Sequence, residues 1–236
     1  MTTISNARYD GIADWYDDFN GRAAESNRAE LEPLFGTGDG LCLDLGCGTG
    51  QYFDVIGASG RTVVGLDRSA DQLRVAKGRS ERLMQAGRLT QAGGLVQADA
   101  AALPFADGVF PTVAVLWVST DVDDFAAVLR EGARVLRPGG LLVFYGVHPC
   151  FNGPCIEDRE DGARIVHPTY RLAGWHEPAP WWTPGGIRSR LGMRHVPLAD
   201  LFNAFLAAGL TIGGVFEPRD EPLPYTLAVR AYRARD

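Results

Sequence analysis

The chain has 236 residues, 46% of them hydrophobic, and a formal net charge of −6. That length suits one large domain or one domain with a cap, and the acidic balance argues against a dedicated nucleic-acid binder, which carries a basic stripe. No apolar run follows a basic start, no stretch reaches the roughly 20 apolar residues of a membrane span, and the four cysteines lack a C-x-x-C pairing, so no secretory signal, membrane helix, zinc site or disulfide framework is expected and the cytoplasm is the expected location.

Residues 1–5 read as a loose tail. Residues 6–19 have an amphipathic helical pattern, with Tyr9, Ile12, Ala13 and Tyr16 on one side and Asp10, Asp14 and Asp17 elsewhere on the wheel. A second helix is predicted over 22–34, ending before Gly36-Thr37-Gly38. Tyr9, Trp15 and Tyr16 either anchor these helices to the core or cover a ligand.

The apolar run Leu41-Cys42-Leu43 predicts a buried strand. It leads into LDLGCGTG (43–50), and a short helix follows over 52–56. The glycines Gly46, Gly48 and Gly50 therefore fall where a strand ends and a helix begins. Glycine tolerates positive φ there and lets a ligand touch the backbone, and the helix offers free N–H groups. A dinucleotide-binding turn has the spacing G-x-G-x-x-G. Here the last spacing is one residue shorter and Asp44 crowds the turn. A carboxylate there repels phosphates and suits a ligand with an ammonium and a sulfonium, such as S-adenosylmethionine.

Residues 62–67 (TVVGLD) form the second predicted strand. Its terminal Asp67 lies seventeen residues beyond Gly50, a separation that suits an acid holding two ribose hydroxyls. Ser69 caps the next helix, 69–84, which leaves Asp67 free. A strand over 94–98 precedes Asp99 and a run of small residues beginning at Ala100. An acid in that position can accept from an adenine amino group. The fourth strand is predicted over 112–118. Ser119, Thr120 and Asp121 read as the N-cap of a helix over 122–136. Arg137-Pro138-Gly139-Gly140 is a helix stop, and the fifth strand follows over 141–147. Apolar strands alternating with helices indicate a parallel, doubly wound sheet.

The pattern then breaks. Residues 148–195 are rich in Pro, Gly, Trp and charge and hold all four histidines: His148, His167, His176 and His195. A loop this long is expected to be a lid or a small inserted subdomain. A helix over 198–208 stops at Gly209. Strands over 210–216 and 225–232 follow, joined by too few residues for a crossover, so they should pair antiparallel.

The segments LDLGCGTG (43–50), VVGLDRS (63–69), QADAAALPFADGVF (97–110) and RVLRPGGLLVF (134–144) together resemble the class I S-adenosylmethionine-dependent methyltransferases of the type 11 group. The resemblance covers roughly residues 41–147. It implies an α/β, Rossmann-like sheet of seven strands with the last antiparallel, a helical cover over 1–38 and an inserted substrate lid over 148–196. It implies S-adenosylmethionine as cofactor, with Gly46 and Gly48 at its methionine end, Asp44 near its amino group, Asp67 and Arg68 at the ribose, and Asp99 and Ala100 at the adenine. Leu116 would line the same cleft and Tyr16 would close over it. Pro111 departs from the family pattern and implies a late start for the fourth strand. The segment RHVPLADLFNAFLAAGL (194–210) resembles a family pattern that sets a histidine on the substrate side.

Methyl transfer to a small organic acceptor, including a secondary metabolite, is the expected activity. His148 or His195 would serve as base where the nucleophile must lose a proton. Asp121 and Tyr145 are weaker candidates for that base, since helix capping and packing account for them. A homodimer is a further expectation. Two other readings stay open: a nicotinamide-dependent oxidoreductase, and a cofactor-binding protein without transfer activity.

Overall fold

The computed structural model describes residues 7–90, 92–218 and 222–235; the tail expected over 1–5 and part of the final inter-strand connection lie outside them. The predicted pair of N-terminal helices is one helix, α1 (Ala13–Phe35), preceded by turns over residues 8–11. Gly21 costs only about 1 kcal/mol in an exposed helix interior. The buried positions Ala24, Asn27, Leu31, Leu34 and Phe35 keep the helix seated, so the break expected there does not form.

The alternating elements are β1 (Leu41–Leu45), α2 (Phe53–Ala58), β2 (Thr62–Asp67), α3 (Ala70–Gln85), β3 (Ala92–Gln97), β4 (Phe110–Leu116), α4 (Phe125–Val135) and β5 (Leu136–Val147). Next come the short strands β6 (Ile156–Asp158), β7 (Arg164–Val166) and β8 (Gly174–His176), then α5 (Ile187–Leu191) and β9 (Met193–His195). The chain closes with α6 (Leu198–Ala207), β10 (Leu210–Phe216) and β11 (Thr226–Arg233).

Among the described residues, seven strands form one sheet in the order β10-β11-β5-β4-β1-β2-β3. β11 runs antiparallel to both neighbours, and the pairings from β5 to β3 are parallel. Leu43, Leu45, Val113, Val115 and Phe144 pack on one face of the sheet, toward α4 and α6. Cys42, Ile56, Ala76, Val143 and Tyr145 pack on the other, with α1 to α3. Burying apolar side chains on both faces is what a parallel sheet requires, and it explains why β1, β2 and β4 read as nearly continuous apolar runs.

Three local expectations are corrected. β4 begins at Phe110 with Pro111 inside it. The register jumps there, from Phe110 opposite Leu136 to Thr112 opposite Leu141, and a proline is tolerated where the ladder is irregular. β5 accordingly starts at Leu136, with the Arg137–Gly140 turn carried as the irregular part of the strand. Helix α4 is capped by Asp124, whose Oδ1 accepts from the Ala127 N–H at 2.9 Å, rather than by residues 119–121.

Residues 148–196 hold two small antiparallel ribbons, β6-β7 and β8-β9. Trp182 and Met193 pack against Val147 at the end of β5. The Pro154 carbonyl accepts from both Trp181 and Trp182 indoles at 3.1 Å. Among the described residues no helix is long and apolar enough to cross a membrane, and no group of three or more His, Cys, Asp or Glu could hold a metal.

Candidate cofactor and acceptor site

The carboxyl ends of β1, β2 and β4 open into a cavity of about 360 Å³. This is the side of an open α/β sheet on which ligands bind, because the strand ends there leave backbone groups and loops unpaired with the core. The cavity brings together Tyr16, Gly46, Gly48, Asp67, Arg68, Asp99, Ala100 and Leu116, all expected from the sequence.

The glycine turn is built for close approach. Gly46, Gly48 and Gly50 have φ of +68°, +53° and +74°, the left-handed region that L side chains disfavour. A Cβ on Gly46 would stand 2.8 Å from Val118 Cγ2. On Gly48 it would meet the Tyr16 ring at 3.9 Å, so Tyr16 lies over the turn. Asp67 Oδ2 accepts from the Gly48 N–H and Oδ1 from the Ser69 N–H, both at 2.9 Å. Burial nevertheless pushes its carboxyl above the usual range. Ser69 caps α3 through the Gln72 N–H, as the sequence predicts.

Asp44 does not line the cavity. It lies on β1, two residues before Gly46, and is 1% exposed. Its Oδ2 has no hydrogen-bond partner among the described residues. Burial, reinforced by Asp67, pushes its carboxyl up to about 8. The Gln72 side-chain amide, which does line the cavity, has both its oxygen and its nitrogen buried without a partner. Buried polar atoms are ordinarily satisfied, so unpartnered groups of both kinds near one glycine turn suit a polar ligand with a donor and an acceptor. An ammonium suits the carboxylate, and a carboxylate or hydroxyl suits the amide donor. Asp99 stands exposed at the rim, its Oδ1 accepting from the Ala101 N–H at 2.9 Å, beside buried Ala100. The residues present fit S-adenosylmethionine.

The two expected bases lie elsewhere. Neither His148 nor His195 is on the wall of this cavity. His148 Nδ1 accepts from the Cys150 N–H at 3.2 Å, and Nε2 faces Glu217 at 3.0 Å. Both ring nitrogens are therefore committed. His195 is 2% exposed and points Nε2 at the Tyr170 carbonyl, 2.7 Å away. Burial lowers the pKa of each.

The sequence reading missed Gln72, Arg8 and Trp117 on the cavity wall and ranked Asp121 below the histidines because capping accounted for it. Trp117 has φ +62°, the one non-glycine residue with positive φ among those described. Its N–H donates to the Tyr145 carbonyl at 2.7 Å, and its indole meets the Tyr145 ring edge-on at 5.3 Å. Strain of this kind concentrates at binding sites. No sequence pattern announces it, because tryptophan is not a left-handed residue by preference. Gln72 had a signal: two residues into the helix capped beside Asp67, it faces the strand tips.

Residues 43–144 match the family described as a methyltransferase domain. The chain is 34% identical over 156 residues to the demethylmenaquinone methyltransferase of Lactococcus lactis subsp. lactis, covering 61% of this chain and 60% of that protein. It is 38% identical over 140 residues to the enzyme of the same name from Mycolicibacterium gilvum, covering 57% and 56%. The match thus spans less than two thirds of either relative. A solved S-adenosylmethionine-dependent methyltransferase from Mesorhizobium loti superposes with a TM-score of 0.67 at 25% identity, covering 89% of this chain and 98% of that one.

Proposed function

We propose, from the premise that the chain belongs to the class I S-adenosylmethionine-dependent methyltransferases, that it transfers a methyl group to a small, flat, largely apolar acceptor. One observation carries the reading: the unpartnered Asp44 carboxylate oxygen and Gln72 amide stand beside a glycine turn that opens into the cavity lined by Asp67. When bound, S-adenosylmethionine supplies a methyl group already activated by its sulfonium. The chain's own residues hold and align the reactants and keep water out, which is where most of the rate of such a reaction originates. Asp44 and Gln72 would hold the amino-acid end, Asp67 with Arg68 the ribose, and Asp99 with Ala100 the adenine. Tyr16 would cover the turn.

Trp117, Val118 and Val122 form an apolar part of the cavity wall, beside Arg8, Asp121, Asp123 and Asp124, and the flat apolar acceptor is read from that part. The relatives' name, demethylmenaquinone methyltransferase, is in keeping with it. Residues 148–196 serve in this reading as the substrate lid, and the N-terminal segment as cover. A nicotinamide cofactor is disfavoured, because Asp44 beside the turn gains nothing from a pyrophosphate and ionises favourably only beside a cation such as an ammonium. The reading extends to a protein that works in the cytoplasm and without nucleic acid, in keeping with its charge of −6.

The test is calorimetry with S-adenosylmethionine and with NAD, followed by an assay for S-adenosylhomocysteine release with demethylmenaquinol. Binding of S-adenosylmethionine alone and release of product are expected. Absence of heat with S-adenosylmethionine from folded protein would end this reading.

A further inference from the structure

Asp121 follows the tip of β4 and lines the same cavity as Gly46 and Gly48. It caps no helix, since Asp124 performs that task for α4. Among the described residues its carboxylate accepts from two hydroxyls. Tyr9 Oη donates to Oδ1 at 2.6 Å, and the neighbouring Thr120 hydroxyl to Oδ2 at 3.1 Å. The nearby guanidinium of Arg8 is spent on the Asp121 main-chain oxygen at 3.0 Å and on the Asp123 carboxylate at 2.6 Å. Among the described residues Asp121 thus presents to the cavity a carboxylate with unused lone pairs and no cation hydrogen-bonded to it.

The position relative to the cofactor turn follows from contacts. Tyr16 lies over Gly48. Tyr9 meets Tyr16 edge-on, ring centres 5.1 Å apart. Tyr9 then holds Asp121. One aromatic ring therefore separates the carboxylate from the ring that covers the glycine turn, and Trp117, with its strained backbone, lines the wall of the same space.

We propose that Asp121, positioned by Tyr9, is the group that takes the proton from the acceptor, and that the acceptor presents a neutral hydroxyl on a flat aromatic or enol body seated against Trp117. The inference rests on the methyl-transfer reading above and names the residues that would complete it. The acceptor's O–H proton passes to an Asp121 oxygen. The electron pair left on the acceptor's oxygen, or on the ring carbon conjugated with it, forms the bond to the methyl carbon as the carbon–sulfur bond breaks and its pair returns to sulfur. Asp121 later gives the proton to water. A base near the operating pH is the efficient one. Burial pushes Asp121 above the usual carboxylate range, while the Tyr9 and Thr120 hydroxyls, with Arg188 and Arg8, pull it back in part. Tyr16 faces the same carboxylate, and Asp67, Asp123 and Asp124 share the cavity.

The test compares binding of 1-naphthol and 1-methoxynaphthalene by calorimetry, on protein saturated with S-adenosylhomocysteine, from pH 5 to 9. A hydrogen bond to a charged acceptor gives the wild type a preference for the hydroxyl compound of roughly ten- to a hundredfold, rising with pH as Asp121 ionises. Asp121→Asn should cut the preference about tenfold and flatten its pH dependence, while S-adenosylhomocysteine affinity stays within about threefold of wild type, which also reports that the variant folds. Tyr9→Phe removes a donor to the carboxylate and so moves the pH rise upward; a merely structural tyrosine would weaken binding without moving it. With 1-naphthol as methyl acceptor, Asp121→Asn should lower kcat by roughly 10²- to 10⁴-fold.

An Asp121→Asn protein that keeps the full hydroxyl preference and pH profile overturns the proposal, as does a wild type that binds neither naphthalene. Failure of S-adenosylhomocysteine to bind the wild type would instead strike the methyl-transfer reading, and the naphthalene comparison on unliganded protein would still decide the role of Asp121.

Discussion

Asp17 of α1 and Arg79 of α3 meet at 2.6 Å above the glycine turn. The same Asp17 oxygen accepts from the Thr49 hydroxyl at 2.6 Å and from Gln51 Nε2 at 3.2 Å, and Arg79 Nε donates to the Thr49 carbonyl at 3.0 Å. One half-buried carboxylate therefore fastens the covering helix to the loop that shapes the cavity floor.

Arg79→Ala should loosen that fastening. Removing a charged donor from a part-buried network costs about 1–3 kcal/mol, read as a lower Tm, with weaker S-adenosylhomocysteine binding because Tyr16 rides on the same helix. Burial pushes Asp17 up, but the Thr49 bond and the Arg79 charge outweigh it and leave its pKa lowered. Its stabilisation is therefore present above the ordinary carboxylate range and lost as pH falls through the lowered value. In Arg79→Ala the folded pKa moves back toward the ordinary carboxylate value, so the loss on acidification should be smaller and complete at higher pH, which melts recorded between pH 7 and 3 would show.

The Asp44 carboxyl, pushed up to about 8, holds its proton at neutral pH until a cation arrives. Binding of S-adenosylmethionine at pH 7 should release most of one proton, measurable as a dependence of binding heat on the ionisation enthalpy of the buffer. Asp44→Asn should abolish the release and weaken binding by roughly 10- to 100-fold, the scale of a charge-assisted bond. Because the folded pKa is raised, the ligand-free protein is favoured most below the ordinary carboxylate range and loses that contribution as pH rises toward about 8. The Asn variant should melt with a flatter profile across that window.

The two glycines of the turn should differ. Gly46→Ala sets a methyl 2.8 Å from Val118 Cγ2 at φ +68°, adding a clash to the roughly 1–2 kcal/mol of a left-handed L residue. Gly48→Ala meets only the Gln72 Oε1 at 3.5 Å and Tyr16 at 3.9 Å, so it should cost the backbone term alone. Thermal melts should place Gly46→Ala lower, and adding Val118→Ala should recover part of the difference in that protein only.

His148→Ala should act on the insert and not on the chemistry. It leaves the Cys150 N–H and Glu217 without their partner, at a cost of about 1–3 kcal/mol. The pH profile of S-adenosylhomocysteine release should keep its shape. Burial lowers the folded pKa of His148, so its contribution is full above the ordinary histidine range and fades as pH falls below it. Acid melts of the wild type should show that fade, and those of His148→Ala should lose it.

The sheet was legible because burial on both faces writes strands as apolar runs, and because glycine and acid at strand ends have few other uses; Gly46, Gly48 and Asp67 came from that logic, while Leu116 came from the family resemblance. The errors share a cause, namely tertiary choices among equally good local options. Gly21 could end a helix or pass through one, and packing of Ala24 to Phe35 chose the second. Ser119 to Asp121 read as the cap of α4, but the helix starts later and takes Asp124. His148 follows the expected fifth strand and His195 precedes the expected last helix, yet which way each ring turns depends on partners such as Glu217 and the Tyr170 carbonyl, which no spacing encodes.

The twisted backbone at Trp117 has an implication for engineering. An asparagine or glycine there would relax the main chain and, by that criterion alone, yield a hardier protein. A campaign selecting only for heat tolerance would therefore drift toward replacing the tryptophan, and would be expected to return robust proteins that have lost their discrimination among acceptors.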